Sequence, residues 1–581
     1  MNNSLKNYLS REGLKYAAGI FFILMINLFN IYIPKTQGDI IDYLSTQSFD
    51  KAILIRYISY ILLLALGTFV CNYFARYLML SANSMMDFHV RSDVFDRLLK
   101  FSATYYTKNS SGEIMALSSN DISRLRYALS RGLNMVTDFI ILFVLAIISI
   151  FTINTKLVLY VILPVPIAVI IIIFFGPILR EKNRIVQEQF ARLTTKTQQN
   201  LSAIRIIKAF VHETNEIEAF EEGNKSNYKA QVNLAMTSNF FNPLIIFVSS
   251  TAVFLMLLIG GKMVLENDIT LGEFVACNTY LLMLIRPISM LGMIFSILQQ
   301  GRASWGRITD FFNVPIELEP EMEEEINDEA FFGDLTFENV NFSYDGKKPV
   351  LKDIDITIEA GTSLGIIGKI GSGKSTLVNL MLRLYDADTG NIKIGSVNIE
   401  DMSRKTLRDH IAYVPQDNFL FSETIVENID FDDKLSIDEV HEAAKISQIH
   451  ESILNFSHGY NTQLGERGVN LSGGQKQRIS IARALTKDAP ILILDDCLSA
   501  VDAHTEQEIL KELRSYSNHR TTLIITHRLT AVEHCDNVIV FDDGVIVESG
   551  SPKILIKKDS YYSSMVKMQE IEQEIGVYDE E

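Results

Sequence analysis

The sequence predicts two joined domains: a polytopic α-helical membrane domain with six transmembrane helices, and a soluble α/β domain built around a phosphate-binding loop. Three observations predict this. Before about Ser304 the chain is a succession of long apolar runs, and after about Glu317 it alternates short apolar strands with amphipathic helices. An apolar strand at 364–367 runs into Gly368-Lys369-Ile370-Gly371-Ser372-Gly373-Lys374-Ser375-Thr376, which matches GxxxxGK[ST]. The 581 residues also exceed what one hydrophobic core sustains.

Taken in order, the apolar runs fall near 14–34, 54–78, 133–153, 157–178, 242–264 and 271–298. Each reaches the roughly 20 residues a helix needs to cross a bilayer. The segment between the second and third runs carries Arg76, Arg91, Arg97, Lys100, Lys108, Arg124, Arg126 and Arg131. The segment between the fourth and fifth is as basic, from Arg180 to Lys229. The other connections hold only Lys35 and Lys51, Lys156, and Lys262. Cation bias of this kind puts the two basic segments, and with them both termini, in the cytoplasm. The opening MNNSLKNYLSREG lacks a small-residue cleavage site after its first apolar run, so that run is read as retained.

Residues 83–130 and 180–235 keep a helical period with few breakers, which predicts membrane helices that continue far into the cytoplasm. Each long hairpin then needs a tip. The expected tips are 112–121, bounded by Gly112 and Asp121, and 203–210, bounded by Ala203 and Phe210; both suit docking on a cytoplasmic domain. Polar residues inside apolar spans are costly and mark cavities or partners. Asn27, Asn30, Asn72, Asp138, Asn278 and Arg286 are of this kind. Arg286 precedes a helix-breaking Pro287, with Met283, Met290 and Met293 around it. Asp138, Asn278, Arg286 and Met290 are therefore the expected substrate-cavity residues; helix packing and snorkelling are the plainer alternative for each.

The domain boundaries expected are 1–312 for the membrane domain, 313–330 for an acidic, Pro-containing linker, 331–570 for the soluble domain and 571–581 for an acidic tail. A net charge of −17 argues against a nucleic-acid partner. The cysteines at 71, 277, 497 and 535 are scattered, with neither metal spacing nor a disulfide framework.

In the soluble half the glycines of the loop let backbone N–H groups curl around phosphates, and the helix expected at 374–384 adds its positive N-terminus. Lys374 is expected on the β- and γ-phosphates of a nucleotide and Ser375 on Mg²⁺. Gln416, Asp495 and His527 each end a predicted strand, where α/β sheets bind ligands. Asp495 and Gln416 suit the metal and the attacking water, His527 the γ-phosphate, and Tyr344 the adenine face. Ser472-Gly473-Gly474-Gln475 opens a predicted helix and is a further phosphate-holding element.

Tyr344, the phosphate loop, Gln416, LSGGQ at 471–475, ILILDD at 491–496, SAVD at 499–502 and His527 together resemble the nucleotide-binding domain of ABC transporters. TQLGERG at 462–468 resembles the extra loop of ABC exporters, and the six-helix half with long hairpins resembles their membrane domain. The resemblance covers nearly the whole chain and implies an ATP- and Mg²⁺-dependent transport ATPase in a cell (plasma) membrane of bacterial type. It also implies a half-transporter, because in this family the signature of one chain grips the ATP on the phosphate loop of the other. Ser472, Gly473, Gly474 and Gln475 would then serve a partner's ATP, and 203–210 would be a coupling element on the partner.

One departure stands out. Where efficient members of the family carry a Glu general base, this chain carries Asp496, one methylene shorter. An intact signature beside a weakened base resembles the chain with the degenerate ATP site in bacterial heterodimeric multidrug exporters. The resemblance thus implies a second half-transporter carrying the catalytic Glu, amphipathic small-molecule substrates moved across the lipid bilayer, and a slow site on this chain's own phosphate loop. A homodimer with a slow Asp, an exporter of lipid, peptide or siderophore, and an ATP-gated channel or regulatory subunit are the alternatives.

Overall fold

A computed structural model describes residues 5–45, 50–162, 164–316, 331–517, 519–558 and 560–578. The chain divides into two compact units: Met1–Lys100 with Asn109–Ile316, and Phe101–Lys108 with Glu317–Glu581.

The first unit is all helix. Five helices among the described residues are long and apolar enough to cross a membrane: Gly13–Ser45, Lys51–Leu99, Ser111–Ile153, Glu213–Leu265 and Leu271–Asn313. The expected fourth span falls on Thr155–Ile162 and Pro164–Ser202, and residue 163 between them lies outside the described residues. The helix Lys51–Leu99 has 49 residues, which at 1.5 Å per residue is about 74 Å, more than twice the roughly 30 Å hydrocarbon core. Pro34, Pro177, Pro243 and Pro287 each lie inside one of the other long helices. The last helix continues through Pro287.

Small residues let these helices approach closely. A Cβ at Gly301 would fall 2.3 Å from the Ala128 Cβ, so only glycine permits that crossing. Next to it the Asp121 carboxylate, buried, accepts from Ser304 Oγ (2.9 Å) and Arg307 Nε (2.8 Å) on Leu271–Asn313. Toward the opposite end of that helix, buried Tyr280 donates to the Ile31 carbonyl at 3.0 Å, within a core of Ile31, Leu142, Ala146, Ile150, Ile245 and Cys277.

The tip of the first hairpin is not where the sequence suggested. Helix Lys51–Leu99 ends at Lys100, a short helix Ala103–Lys108 follows, and Ser110 starts the return helix. Gly112 and Asp121 therefore lie inside the returning helical run, which corrects their reading as a turn. The cause is local: Ser110 and Glu113 form a capping box, so the helix begins there and Gly112 sits in its first turn. In the second hairpin the tip is a short helix Ile204–Ala209, with Ala203 and Phe210 as its caps. Phe210 and Val211 there are largely exposed, and Val211 has φ 51°.

The second unit carries two sheets. Strands β1 (Leu335–Phe342), β2 (Leu351–Ile358), β4 (Thr389–Ile394) and β5 (Val397–Asn398) form an antiparallel sheet in the order β2-β1-β4-β5. Strands β3 (Ser363–Gly368), β6 (Ile411–Val414), β7 (Ile491–Asp495), β8 (Thr521–Ile525), β9 (Asn537–Asp542) and β10 (Val545–Gly550) form the other, in the order β10-β9-β3-β8-β7-β6. From β9 to β6 every pairing in it is parallel, and β10 closes the edge antiparallel. The C-terminal ends of β3, β8, β7 and β6 therefore open on one edge, and that edge carries the site. Residues 317–330, most of the expected linker, lie outside the described residues, and helix Tyr561–Tyr578 runs into the expected tail.

Candidate functional site

The phosphate loop leaves the end of β3 and turns into helix Lys374–Met381. Gly373 caps that helix with φ 108°, and a Cβ there would lie 2.8 Å from Leu351 Cδ2, so glycine is required on both counts. The loop, Gln416, Asp495, Asp496, Thr526 and His527 line one cavity of about 290 Å³. Four separate strand ends thus converge on it.

Within the cavity, Lys374 Nζ folds back on the carbonyls of Gly368 and Lys369, both at 2.8 Å. Burial pushes its ammonium below the usual lysine range, while Asp495 and Asp496 oppose that shift. Asp495, fully buried at the end of β7, is pushed above the usual carboxylate range by burial; the Ser375 hydroxyl, donating at 3.4 Å, opposes it. Ser372 Oγ is buried without a hydrogen-bond partner among the described residues.

These features fit a nucleotide with a divalent cation. The orphan hydroxyl, the lysine resting on its own loop and the curled backbone all offer hydrogen-bond donors to phosphate. Ser375, Asp495 and Gln416 offer hard oxygen atoms. Among the described residues no group of three His, Cys, Asp or Glu could hold a metal by itself. Mg²⁺ takes hydroxyl, carboxylate and amide oxygens of this kind together with substrate phosphates.

Asp496 follows the end of β7 with a left-handed backbone, φ 47°. Its N–H donates to the Ile525 carbonyl on β8 at 2.8 Å. His527 Nδ1 lies 3.0 Å from Asp496 Oδ1, and Gln416 Nε2 donates to Oδ2 at 3.3 Å. Of the three residues assigned to chemistry from the sequence, Asp496 thus contacts both of the others. Tyr344 is not on the cavity wall, but its hydroxyl is 3.2 Å from Thr376 Oγ1, and Asn379 donates to it at 3.3 Å. Its ring stands half exposed, edge-on to Phe342 and Tyr385. Lys369 lies outside the cavity wall and pairs with Asp542 at 3.6 Å.

The signature residues are not brought to this cavity. Ser472 caps helix Gly473–Leu485, and Gln475 closes the capping box: its N–H donates to Ser472 Oγ at 3.3 Å and its Oε1 accepts from Ser472 N at 3.0 Å. The Gln475 side chain is thus occupied as a cap. A Cβ at Gly474 would meet the Ala500 carbonyl oxygen at 2.8 Å, so this glycine lets the helix rest on the turn at 499–501.

Residues 16–288 match the family described as the ABC transporter transmembrane region, and residues 351–499 match the one described as ABC transporter. The chain belongs to the ABC transporters. A relative in Bacillus subtilis, "Probable multidrug resistance ABC transporter ATP-binding/permease protein YheI", is 34% identical over 562 residues, 96% of either chain. An "ATP-dependent lipid A-core flippase" of Desulfotalea psychrophila is 34% identical over 482 residues, 82% of this chain and 84% of its own. A solved bacterial Atm1-family ABC exporter with ATP bound superimposes with a TM-score of 0.81 at 27% identity, over 97% of this chain and 99% of that one. This ABC exporter therefore joins a helical transmembrane domain to an ABC nucleotide-binding domain that binds ATP and couples its hydrolysis to transport.

In the membrane unit, Asn27, buried, donates one hydrogen to the Ile23 carbonyl (3.0 Å) and the other to Asp138 Oδ1 (2.8 Å). Asp138 itself is exposed. Asn278 Oδ1 is buried without a hydrogen-bond partner among the described residues. Met290 is half-buried, and the Arg286 side chain lies outside the described residues. Sequence reasoning missed Gln477 and Arg528, which grip the turn at 499–501 from either side. Their role depends on contacts across 22 to 29 residues and leaves no local pattern.

Proposed function

We propose that this exporter moves hydrophobic or amphipathic compounds out of the cell as one half of a heterodimer, and that it supplies the slower of two ATP sites. The observation that carries this reading is Asp496. It stands where a longer Glu would act as base, and its short carboxylate is bonded to His527 and Gln416, while LSGGQ in the same chain is intact. The printed name of the Bacillus subtilis relative supports the multidrug class.

In this reading Lys374 and the loop amides hold the β- and γ-phosphates of this chain's ATP, and Tyr344 faces its adenine. Ser375, Asp495 and Gln416 would hold Mg²⁺, and the cation would supply neutralisation of the phosphate charge. Asp496 and His527 orient the attacking water, with Asp496 too short to do so well. Ser472, Gly473 and Gly474 lie outside the cavity of their own chain and serve the ATP of the second half-transporter. The ATPase domain is cytoplasmic, as the basic segments favour. The element Ile204–Ala209 docks on the second half's ATPase domain, and Ala103–Lys108 takes the part first assigned to 112–121.

The test is to purify the chain alone and together with a second half-transporter that carries Glu after its Mg²⁺ aspartate. ATPase rates and dye efflux are then measured in proteoliposomes. The pair is expected to pump and the single chain to turn over slowly or not at all. A transport-competent homodimer would sink the proposal. So would an Asp496→Ala variant that stops the pair as completely as loss of the second half's Glu. The flippase relative favours one other reading, a lipid substrate; ATPase stimulation by lipid and not by dyes would select it.

A further inference from the structure

Arg528, the residue after His527, reaches away from the ATP cavity into a short turn. Its Nη1 is ion-paired with Glu506 Oε2 and donates to the Val501 carbonyl at 3.3 Å, and its Nη2 donates to the Ser499 carbonyl at 2.9 Å. From the other side Gln477, buried in the signature helix, donates to Ser499 Oγ at 3.0 Å and accepts from Ala500 N at 2.9 Å. Ser499 Oγ in turn donates to the Asp496 carbonyl at 3.1 Å. The turn is thus held by two side chains from two other elements, and it holds the backbone of Asp496.

That backbone needs holding. A left-handed φ is unfavourable for a residue with a Cβ, and it persists only where the surroundings over-determine it. Asp496 has φ 47°, and its N–H and carbonyl are both engaged. The Arg528–Glu506 pair is a poor stabiliser in its own right. Glu506 is buried and among the described residues its Oε1 has no hydrogen-bond partner, so the desolvation of that carboxylate is only partly repaid. What the pair does accomplish is to aim a rigid fork at two carbonyls of the turn, a geometry that lysine cannot reproduce.

We propose that Arg528, seated by Glu506, is a positioning residue for ATP turnover: by clamping residues 499–501 it keeps Asp496 in the left-handed conformation from which its carboxylate meets His527. Arg528 is not among the residues that line the cavity, and it is joined through one peptide bond to His527. One side chain thus sets the spacing of both groups that face the attacking water. The inference concerns this chain's own ATP site and holds whether the transporter is a heterodimer or a homodimer.

The test uses the full-length chain in its assembled transporter. Vanadate trapping of 8-azido-ATP on this chain, followed against nucleotide concentration, separates turnover from affinity. Arg528→Lys keeps the charge and loses the fork; it is expected to lower the trapping rate about 10-fold, with nucleotide affinity and melting temperature unchanged. Glu506→Gln is expected to lower it in the same direction. The double variant should be no slower than Arg528→Lys alone, because both act through one clamp. The proposal is overturned if Arg528→Lys leaves the rate unchanged, if affinity falls as much as rate, or if the two effects multiply. Should Arg528→Lys fail to assemble, Ser499→Ala, which frees the Asp496 carbonyl, carries the same expectation and the same refutation.

Discussion

Lengthening Asp496 to Glu tests the asymmetry at the atom where it arises. In the structure the carboxylate oxygens of Asp496 lie 3.0 Å from His527 Nδ1 and 3.3 Å from Gln416 Nε2, both on the wall of the cavity. One added methylene extends the side chain by about 1.5 Å, one carbon–carbon bond. The carboxylate then reaches further from its backbone, within the cavity that Lys374 and Ser375 also line. Correcting a misplacement of about 1 Å is worth on the order of 100-fold in rate, which is about 2.7 kcal/mol of barrier at 1.36 kcal/mol per factor of ten. Asp496→Glu should therefore raise vanadate-dependent trapping of 8-azido-ATP on this chain by up to about 100-fold, with nucleotide affinity unchanged because the base contributes little to ground-state binding. Asp496→Asn, read beside it, should lie at or below the native rate. If the Glu variant were no faster than native, or fell with the Asn variant, the length of the side chain would not be what limits this site.

Four further outcomes follow from the geometry. Gly474→Val should disrupt the rest of the signature helix on Ala500, at a cost of about 1–3 kcal/mol from overpacking; loss of trapping on the second half-transporter, with trapping on this chain retained, would locate the effect. Asp121→Asn removes the charge that Ser304 and Arg307 share; because Arg307 is half exposed, the cost should be near the low end of a charged hydrogen bond, about 1–2 kcal/mol, read as a lower melting temperature in detergent. Asp138→Asn keeps an acceptor for Asn27 and removes the negative charge, so efflux of cationic amphiphiles should fall relative to neutral ones while nucleotide binding is unaffected. The Thr505 N–H, donating to Asp502 at 3.0 Å, holds that carboxyl below its usual range. The stability it adds is complete above the unfolded value near about 4 and is lost as pH falls through the lower folded value; in thermal melts Asp502→Asn should keep the cap and flatten this acid limb, and Asp502→Ala should lose it throughout.

The parts of the site legible in the sequence are those set by strand ends. The phosphate loop, Gln416, the Asp495–Asp496 pair and His527 each follow a short apolar run, and parallel pairing of those runs brings their ends to one edge. Nothing in the residues marked β1, β2, β4 and β5 as a separate antiparallel sheet, because strand direction depends on partners and not on composition. The first hairpin tip lies before 112–121 because the Ser110–Glu113 capping box, a signal present in the sequence, starts the return helix there. Gln477 and Arg528 could not have been found: a glutamine in a helix and an arginine after a histidine acquire a role only when residues 499–501 fold between them. Asp138 was legible as an anomaly, a charge within an apolar helix, though its anchor Asn27 lies 111 residues away.

The helix Lys51–Leu99 contains no proline, whereas four of the other long helices each carry a proline in their interior. Proline removes a hydrogen bond and lets a helix bend, so the prolines mark compliant joints and the uninterrupted helix a stiff beam. A rigid lever of about 74 Å that tilts by about 5° carries its far end through about 6 Å. A displacement too small to disturb side-chain packing at one end thus becomes, at the other, about the length of a helical turn. Inserting proline near the middle of that beam would turn leverage into slack, leaving ATP consumption intact while transport falls away.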